Sequence, residues 1–323
     1  MPHAVRIYET GGPENLKWEE VEVGDPGPGQ VRVRNAAVGL NFIDTYQRSG
    51  LYPMTMPFTL GSEGAGVVEA VGPRVKTLKV GDRVAYAGPL GAYAEVLLRP
   101  VDRLVKIPAG VDDKTAAAMM LKGLTTQYLV RRTYRVRAGD TVLVHAAAGG
   151  VGLFLCLWAR ALGAMVIGTV GSEGKVAAAK KAGCRHVIDT SKENFVERVK
   201  AITRGKGVPV VYDGVGKDTF MGSLDCLSPL GMMVSFGNAS GAVPPFSVGV
   251  LAQKGSLFLT RPTLATYTAS AEDLAKAARD LFAVVKSGKV KISVNQTYPL
   301  REAAQAHRDL EARKTTGSTV LVP

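Results

Sequence analysis

The sequence predicts an α/β protein in which a small β-barrel is followed by a doubly wound parallel sheet. Three observations support this fold class. Residues 1 to about 120 contain Val-rich alternating stretches separated by Gly and Pro. A strand–helix alternation then runs for more than a hundred residues, and an Ala/Gly-rich turn at 146–152 joins its first strand to its first helix. We expect domain limits of 1–124, 125–262 and 263–323.

The first domain is predicted to be a small all-β barrel. Its half-buried strands are expected where apolar and polar residues alternate between turns, at Val31–Ala36, Gly66–Val71 and Asp82–Tyr86. Beyond Arg261 the pattern is helical at Ala271–Lys286 and Leu300–Glu311 and ends in a strand at Ser318–Val322. We expect this C-terminal segment to return to the first domain.

The second domain is predicted to be of the Rossmann type. Short apolar strands separated by helices are typical of a parallel sheet with both faces covered. The expected helices are Val151–Leu162, an Ala/Lys-rich stretch before His186, and Asn194–Thr203. The expected strands are Val142–Val144, Ala164–Thr169, His186–Asp189, Val208–Asp213, Met232–Phe236 and Ser256–Thr260.

The first turn of this domain has the pattern of a dinucleotide-binding turn. Ala147, Gly149 and Gly152 allow a tight turn, close approach of a pyrophosphate, and packing of the helix on its strand. The free N–H groups of that helix then face an anion. Alanine stands in place of the usual first glycine. The alternative is a tight strand–helix turn without a ligand, and the surrounding alternation favours the dinucleotide.

The end of the second strand favours NADPH over NADH. An NAD site places Asp or Glu there to bind the ribose hydroxyls, whereas this chain has Thr169, Gly171 and Ser172. Lys175 follows in the next turn, so a 2′-phosphate would meet a cation and small polar groups. Glu173 argues against this interpretation, and the alternative for Lys175 is a solvated helix lysine.

The composition is that of an ordinary enzyme. The chain has 323 residues, 46% of them hydrophobic, and neither an apolar signal core nor a membrane span, so a cytoplasmic location is expected. Three isolated cysteines and four scattered histidines suggest no disulfide, metal cluster or catalytic triad, and His145 and Lys122 are expected to be structural. The net charge of +12 is spread along the chain, which favours a phosphate-rich cofactor over nucleic acid as its explanation.

Short motifs along the whole chain match one known family. They read GGPE at 11–14, NFIDTY at 41–46, SGLY at 49–52, GSEGAG at 61–66, KGLTT at 122–126, AAAGGVG at 146–152, SFGN at 235–238 and TRP at 260–262. On these motifs the chain resembles the zinc-free quinone oxidoreductases of the medium-chain dehydrogenase/reductase superfamily, the family that includes the ζ-crystallins.

The resemblance implies a GroES-like catalytic barrel, a Rossmann domain, NADPH in the cleft between them, and a homodimer formed by edge strands of the cofactor domain. It also implies that no zinc is bound. The zinc enzymes of the superfamily have Cys near Asn41 and His at the position of Ser62, beside a retained Glu63, and this chain has neither ligand.

By the same resemblance, Gly171, Lys175 and Arg313 contact the 2′-phosphate. Thr190 stands where some relatives have a tyrosine, so this part of the phosphate site differs. The residues implied around the nicotinamide and the diphosphate are Asn41, Thr125, Gly149, Gly150, Val151, Phe236, Asn238 and Arg261. For Phe236, a position in the core of the sheet is an equal alternative.

The implied chemistry is hydride transfer from C4 of the nicotinamide to a quinone or to an α,β-unsaturated ketone or aldehyde. Such acceptors need little acid catalysis, and positioning supplies much of the rate. The candidates that polarise the acceptor oxygen or supply a proton are Asn41, Tyr46, Tyr52 and Arg261. Either tyrosine is equally a packing residue.

Three functions are compatible with the sequence. An NADPH-dependent quinone reductase is favoured by the density of the motifs. An NADPH-dependent alkenal or enone reductase uses the same cofactor site with a different substrate pocket. A nucleic-acid-binding protein with a regulatory NADPH site is the third, and it is motivated by the positive charge.

Overall fold

The structure, a computed structural model, describes residues Met1–Pro323, and the chain divides into two compact units. Unit 1 comprises Met1–Leu124, Thr268–Lys286 and Ile292–Pro323, and unit 2 comprises Thr125–Tyr267 and Ser287–Lys291. The segment from residue 263 onward is therefore divided between the two units, because residues 263–267 and Ser287–Lys291 belong to unit 2 and the rest belongs to unit 1.

The N-terminal part of unit 1 is mostly β-structure. Its strands are β1 His3–Ile7, β2 Lys17–Glu20, β3 Gln30–Leu40, β4 Phe58–Thr59, β5 Glu63–Val71, β6 Arg83–Ala87, β7 Val96–Pro100 and β8 Val105–Lys106. The helices are α1 Phe42–Ser49 and α2 Asp113–Tyr128, with 3₁₀ turns at Pro13–Asn15 and Val101–Arg103. The unit boundary falls inside α2.

Unit 2 alternates strands and helices as the sequence predicts. After a π-helical turn at Leu129–Thr133, the elements are β9 Thr141–Val144, α3 Gly150–Ala161, β10 Met165–Val170, a 3₁₀ turn Glu173–Lys175, α4 Val176–Lys181, β11 Cys184–Asp189, α5 Phe195–Thr203, β12 Val208–Asp213, α6 Phe220–Asp225, β13 Leu227–Ser235, α7 Gly249–Gln253, β14 Phe258–Thr260 and α8 Leu264–Tyr267.

The six strands of unit 2 form one parallel sheet in the order β11-β10-β9-β12-β13-β14. This is the 3-2-1-4-5-6 order of a dinucleotide-binding sheet, so the predicted Rossmann-type domain is confirmed. The central strands are apolar on both faces because helices cover both faces, and Val142, Leu143, Val144, Val210 and Val211 are fully buried.

Most boundaries in unit 2 lie within two residues of the prediction, and the start of β13 differs by more. Helix α3 begins at Gly150, one residue early, and β13 begins at Leu227 rather than Met232. The added residues of β13 include Leu230, whose φ is 60°, and they precede a register shift against β12. The alternation of apolar residues does not predict such an irregular start of a strand.

The C-terminal part of unit 1 completes its larger sheet. It contains α9 Ala271–Lys286, β15 Val294–Pro299, a 3₁₀ turn Leu300–Glu302, α10 Ala303–Glu311 and β16 Ser318–Val322. The seven-stranded sheet has the order β15-β16-β3-β5-β6-β8, with β7 paired to β3, and a three-stranded sheet has the order β2-β1-β4. Strand β16 runs antiparallel to the end of β3, with Val320 opposite Gly39.

Side chains from β3, β5 and β6 form the core of unit 1, where Val31, Val33, Val68 and Val84 are fully buried. Glycine is required at Gly66 of β5, opposite β3, since a Cβ there would lie 2.0 Å from the Arg34 carbonyl oxygen. No helix of the chain combines the length and the apolar composition that a membrane crossing needs.

Candidate active site

The predicted dinucleotide turn leaves β9 and reverses direction within a few residues. Ala146 adopts a left-handed conformation with φ 52°, and the Ala147 N–H donates to the Thr169 carbonyl oxygen at 2.9 Å. The Gly149 N–H donates to the Ala146 carbonyl oxygen at 2.8 Å, and extended Gly149 then precedes α3. These bonds fix the start of the helix against the end of the strand.

Small residues are needed on both sides of this turn. A Cβ at Gly152 would lie 2.1 Å from the Ala146 carbonyl oxygen, so only glycine allows α3 to approach the turn. Ala147, which replaces the usual first glycine, is fully buried, and a Cβ at Gly168 would lie 2.7 Å from its methyl carbon. Gly168 on β10 therefore provides the space that the extra methyl group occupies.

The N-terminus of α3 offers donors for an anion. The first hydrogen bond of the helix runs from the Leu153 N–H to the Gly149 carbonyl oxygen at 2.9 Å. The amides of Gly150, Val151 and Gly152 precede it and have no helical partner, as in the first turn of any helix. With the partial positive charge of the helix end, they form a site suited to a diphosphate.

The residues after β10 are those that the sequence analysis expects to contact the 2′-phosphate. Gly171 and Ser172 are exposed, and Lys175 is half-buried one turn later. Glu173, the residue that argued against NADPH, accepts a hydrogen bond from Lys192 Nζ at 2.6 Å. Because this ion pair offsets the charge of Glu173, a phosphate near Lys175 meets less repulsion than the sequence suggests.

Other predicted residues follow β13 and β14. The Phe236 N–H donates to the Asp213 carbonyl oxygen at 2.8 Å, and its ring lies against Gly214, where a Cβ would be 3.0 Å from the ring. Phe236 is half-buried and so does not lie in the sheet core. The Arg261 guanidinium donates to the Gly237 carbonyl oxygen at 2.9 Å, which holds it beside the segment that contains Asn238.

The parallel sheet brings most of the predicted cofactor residues of unit 2 to one edge. The turn at 147–152, residues 171–175, Thr190, the segment 236–238 and Arg261 each follow the carboxyl end of a strand. Ligands of open α/β sheets bind at this edge. Thr190 donates to the Val170 carbonyl oxygen at 3.1 Å. Thr125 lies on α2 instead, is buried, and hydrogen-bonds with Tyr128.

A buried polar network supports this edge of the sheet. Asp213 is fully buried and accepts a hydrogen bond from Ser223 Oγ at 3.0 Å. The single hydroxyl proton of Ser223 is then used, so its 2.9 Å contact with His145 Nε2 requires that this nitrogen carries a proton. His145 Nδ1 accepts from Thr169 Oγ1 at 2.9 Å. Burial lowers the pKa of His145, which is consistent with a neutral, structural histidine.

Unit 1 contains a second cluster, built around Glu63 at the start of β5. This fully buried carboxylate accepts from Lys122 Nζ at 3.0 Å, from Asn41 Nδ2 at 2.8 Å and from the Leu121 N–H at 2.8 Å. A Cβ at Gly39 would lie 2.2 Å from Glu63 Oε2, so glycine on β3 makes room for the carboxylate. The sequence predicted Asn41 as a site residue, but it did not predict that Lys122 pairs with the carboxylate to which Asn41 donates. A sequence signal for this pair was available, because Glu63 and Lys122 carry opposite charges and each lies among small or apolar residues.

Helix α1 places Asn41 by a capping box with Asp44. Asp44 Oδ2 accepts from the Asn41 N–H at 2.9 Å and from the Tyr93 hydroxyl at 3.0 Å. The Tyr93 oxygen also lies 3.1 Å from His307 Nε2 and must accept from it, so His307 is protonated at Nε2. Burial lowers the pKa of His307 to about 3, and this histidine is neutral.

The remaining predicted residues of unit 1 are on its surface or near it. Tyr46 and Tyr52 are half-buried and pack edge to face with ring centroids 5.3 Å apart. The Tyr52 N–H donates to the Tyr46 carbonyl oxygen at 3.0 Å, so the two rings form one local unit. Arg313 is exposed after α10 and has φ 59°.

The residues at the position of the superfamily's zinc ligands do not fit a divalent metal. Ser62 and Asn41 offer neither thiolate nor imidazole, and the Lys122 ammonium group already pairs with Glu63. No group of three or more His, Cys, Asp or Glu side chains in the chain is arranged to hold a metal ion.

Known proteins similar to this chain match both units. Residues 27–109 match the model of the alcohol dehydrogenase GroES-like domain, and residues 150–283 match that of the zinc-binding dehydrogenase. The chain is 56% identical to a quinone oxidoreductase of Pseudomonas aeruginosa, with 100% of both chains covered. The chain belongs to the quinone oxidoreductase family. The GroES-like barrel expected for unit 1 is thereby confirmed.

Two further proteins are similar to this chain over its full length. The crystal structure of the Escherichia coli quinone oxidoreductase complexed with NADPH superimposes with a TM-score of 0.98 at 50% identity, covering 99% of this chain and 100% of that one. A 2-haloacrylate reductase of a Burkholderia species is also 50% identical, over 100% of this chain and 99% of its own length. Members of one family thus carry names for different acceptors.

Proposed function

We propose that this chain is an NADPH-dependent quinone reductase. The observation that carries the proposal is full-length identity of 50–56% to proteins named quinone oxidoreductase, one of which has been solved with NADPH. The turn at 147–152 and the cationic Lys175 after β10 supply the two anion sites that such a cofactor requires. The predicted cytoplasmic location agrees with this role.

The proposed cofactor contacts are the residues that the sequence analysis assigns to the two phosphate groups. The amides of Gly150–Gly152 bind the diphosphate, and Lys175 with Arg313 binds the 2′-phosphate. When bound, NADPH supplies a hydride from C4 of its nicotinamide to the conjugated acceptor. Of the four candidates for polarising the acceptor oxygen or supplying a proton, Tyr46, Tyr52 and Arg261 remain proposed donors. The fourth, Asn41, already directs its Nδ2 to Glu63 Oε2 and the Gly39 carbonyl oxygen.

A panel assay tests this function. The absorbance of NADPH is followed with ortho-quinones, para-quinones, alkenals and 2-haloacrylates, and NADH serves as the control cofactor. We expect rapid turnover of quinones with NADPH and slow turnover with NADH. Tight NADPH binding without turnover of any acceptor would refute the proposal.

Reduction of an activated alkene is the second candidate, because a relative that is 50% identical is named 2-haloacrylate reductase. The cofactor site would be the same, and only the acceptor pocket would differ. In the panel, turnover of alkenals or haloacrylates without turnover of quinones would favour this candidate.

We further propose that the protein is a homodimer that pairs through β14. This strand lies at one end of the parallel sheet, so one of its edges has no partner strand in the chain. Phe258 and Leu259 on it are 56% and 38% exposed. An exposed apolar edge strand is a template for pairing with another chain, and a second copy presents the same edge.

A further inference from the structure

Two of the three cysteines meet inside unit 2, although all three are isolated in the sequence. Cys156 lies on α3, and Cys184 is the first residue of β11. Their Sγ atoms are 3.4 Å apart, within hydrogen-bond distance for thiols, and both cysteines are free and buried. A disulfide has an S–S distance of about 2.0 Å, so the two sulfurs need to approach by only about 1.4 Å to form one.

The two thiols of this pair are not equivalent. Cys156 is fully buried, whereas Cys184 is 6% exposed. The hydrogen bond with Cys184, and then burial, raise the pKa of the Cys156 thiol well above its usual value. Cys156 therefore keeps its proton and can donate it to a thiolate at Cys184. Since the thiolate is the reactive form of cysteine, we expect Cys184 to react first.

The backbone at Cys184 favours access of a small oxidant. Strand β11 is at one end of the parallel sheet and pairs only with β10. Cys184 lies opposite Val166 and His186 lies opposite Ile167, so Arg185 is an extra residue that interrupts the ladder next to the thiol. An edge strand with an interrupted ladder opens locally more easily than a central strand. The proposed dimer edge, β14, is at the other end of the sheet and leaves β11 uncovered.

We propose that Cys156 and Cys184 form a redox modification site, at which hydrogen peroxide converts the two thiols to a disulfide between α3 and β11. The Cys184 thiolate attacks one peroxide oxygen and the O–O bond breaks. Cys184 becomes a sulfenic acid, and the other oxygen leaves as hydroxide and takes up the Cys184 proton to form water. The Cys156 sulfur then attacks the sulfenic sulfur. The S–S bond forms as the S–O bond breaks, and the hydroxyl group leaves as water with the Cys156 proton. The thiols lose two electrons and the peroxide gains them.

The pair lies beside the turn that is proposed to bind the cofactor. A Cβ at Gly168 would lie 2.6 Å from Cys184 Sγ and 2.7 Å from the Ala147 methyl carbon, so the thiol and the turn border the same space. Cys156 is on α3, whose first amides form the proposed diphosphate site. A close-packed interior transmits the movement of the two sulfurs to these neighbours. The oxidised protein is therefore expected to bind NADPH more weakly, a consequence that rests on the proposed NADPH-dependent function.

Peptide mapping of the folded wild type tests the disulfide without any variant. Trypsin places the three cysteines on separate peptides, 138–160, 182–185 and 218–254. After treatment with hydrogen peroxide and blocking of the remaining thiols, the first two peptides are expected as one linked species that dithiothreitol separates, while Cys226 stays a free thiol. Met221, which is 46% exposed, reports the dose through its sulfoxide. Free thiols at both Cys156 and Cys184 at a dose that oxidises Met221, or a link to Cys226, would overturn the inference.

Three variants test the order of the two steps. Cys156→Ala is expected to accumulate the sulfenic acid at Cys184, which dimedone traps, because the second thiol is missing. Cys184→Ala is expected to leave Cys156 a thiol at the same dose. Cys226→Ala is the matched control, since Cys226 is also buried, with its pKa raised to about 12 by burial, and makes no hydrogen bond with another thiol. It is expected to form the disulfide as the wild type does. Dimedone labelling of Cys156 in Cys184→Ala, without labelling of Cys184 in Cys156→Ala, would overturn the assigned order.

Fluorescence titration with NADPH measures the consequence for the turn. The oxidised wild type is expected to lose part of its NADPH affinity and to regain it with dithiothreitol. Peroxide-treated Cys184→Ala is expected to lose none, which separates the disulfide from other oxidative damage. Equal affinity of the oxidised and reduced wild type would overturn the coupling of the disulfide to the turn. Absence of NADPH binding by the reduced wild type would instead refute the proposed function, and the peptide mapping does not depend on it.

Discussion

Replacing Asp44 with asparagine probes the electrostatics behind Asn41. Burial raises the pKa of the Asp44 carboxyl to about 7, while hydrogen bonds from the Asn41 N–H and the Tyr93 hydroxyl oppose this shift in part. Nearby Lys122 lowers the pKa and nearby Glu63 raises it. Asparagine keeps an oxygen that accepts both hydrogen bonds, so the substitution removes the titration and leaves the geometry.

The direction of the pH effect follows from the two pKa values. An aspartate of the unfolded chain titrates near 3.8, so between that pH and about 7 the folded protein holds a proton that the unfolded chain has lost. The contribution of Asp44 to stability is therefore greatest at low pH and is lost as the pH rises through about 7. The full difference corresponds to about 4 kcal/mol, of which roughly 2–3 kcal/mol falls between pH 5 and pH 8.

Urea unfolding at pH 5 and pH 8 measures this loss. The free energy of unfolding of the wild type is expected to fall by about 2–3 kcal/mol more than that of Asp44→Asn. His307 does not titrate in this range, because burial lowers its pKa to about 3. Asp25→Asn, at a carboxyl that is 95% exposed, is the control and is expected to follow the wild type. Parallel pH dependence of wild type and Asp44→Asn would refute the reasoning.

Three other substitutions have defined outcomes. Gly152→Ala places a methyl group 2.1 Å from a backbone oxygen and is expected to lower the free energy of unfolding in urea by about 2–4 kcal/mol. Gly174→Ala, with open space around the added methyl group, is expected to leave that free energy unchanged. Equal stability of the two variants would contradict the packing argument. Lys175→Ala is expected to raise KM for NADPH about tenfold and to leave KM for NADH unchanged. Lys180→Ala is the control. Equal effects of Lys175→Ala on both cofactors would exclude a 2′-phosphate contact. Phe258→Lys is expected to give a monomer in light scattering, and an unchanged dimer would place the interface elsewhere.

Part of unit 1 was not predictable from local patterns. Helix α1 buries Asp44, Thr45, Gln47 and Arg48, so its polar residues lie on the inner side. An amphipathic helix has the reverse arrangement, so the local pattern does not predict a helix at 42–49. Hydrogen bonds offset part of this burial: Asp44 accepts from Tyr93 and the Asn41 N–H, and Arg48 donates to Glu311.

The sequence by itself determined the parallel sheet of unit 2 and the turn at 147–152. Strand periodicity, apolar runs and glycine requirements are local properties, and each is read from a few neighbouring residues. The motifs along the chain likewise determined the family. All of this information is contained in short segments.

Only the tertiary structure decided which atoms meet at Asn41. Glu63 lies 22 residues from Asn41 and 59 residues from Lys122 in the chain, and the three come together through the pairing of β3 with β5 and the packing of α2. The direction of the Asn41 amide depends on the distant Glu63 carboxylate that accepts from it, as the protonated nitrogen of His145 depends on Ser223. Residue type fixes which atoms can donate, but the fold fixes which donors are already used.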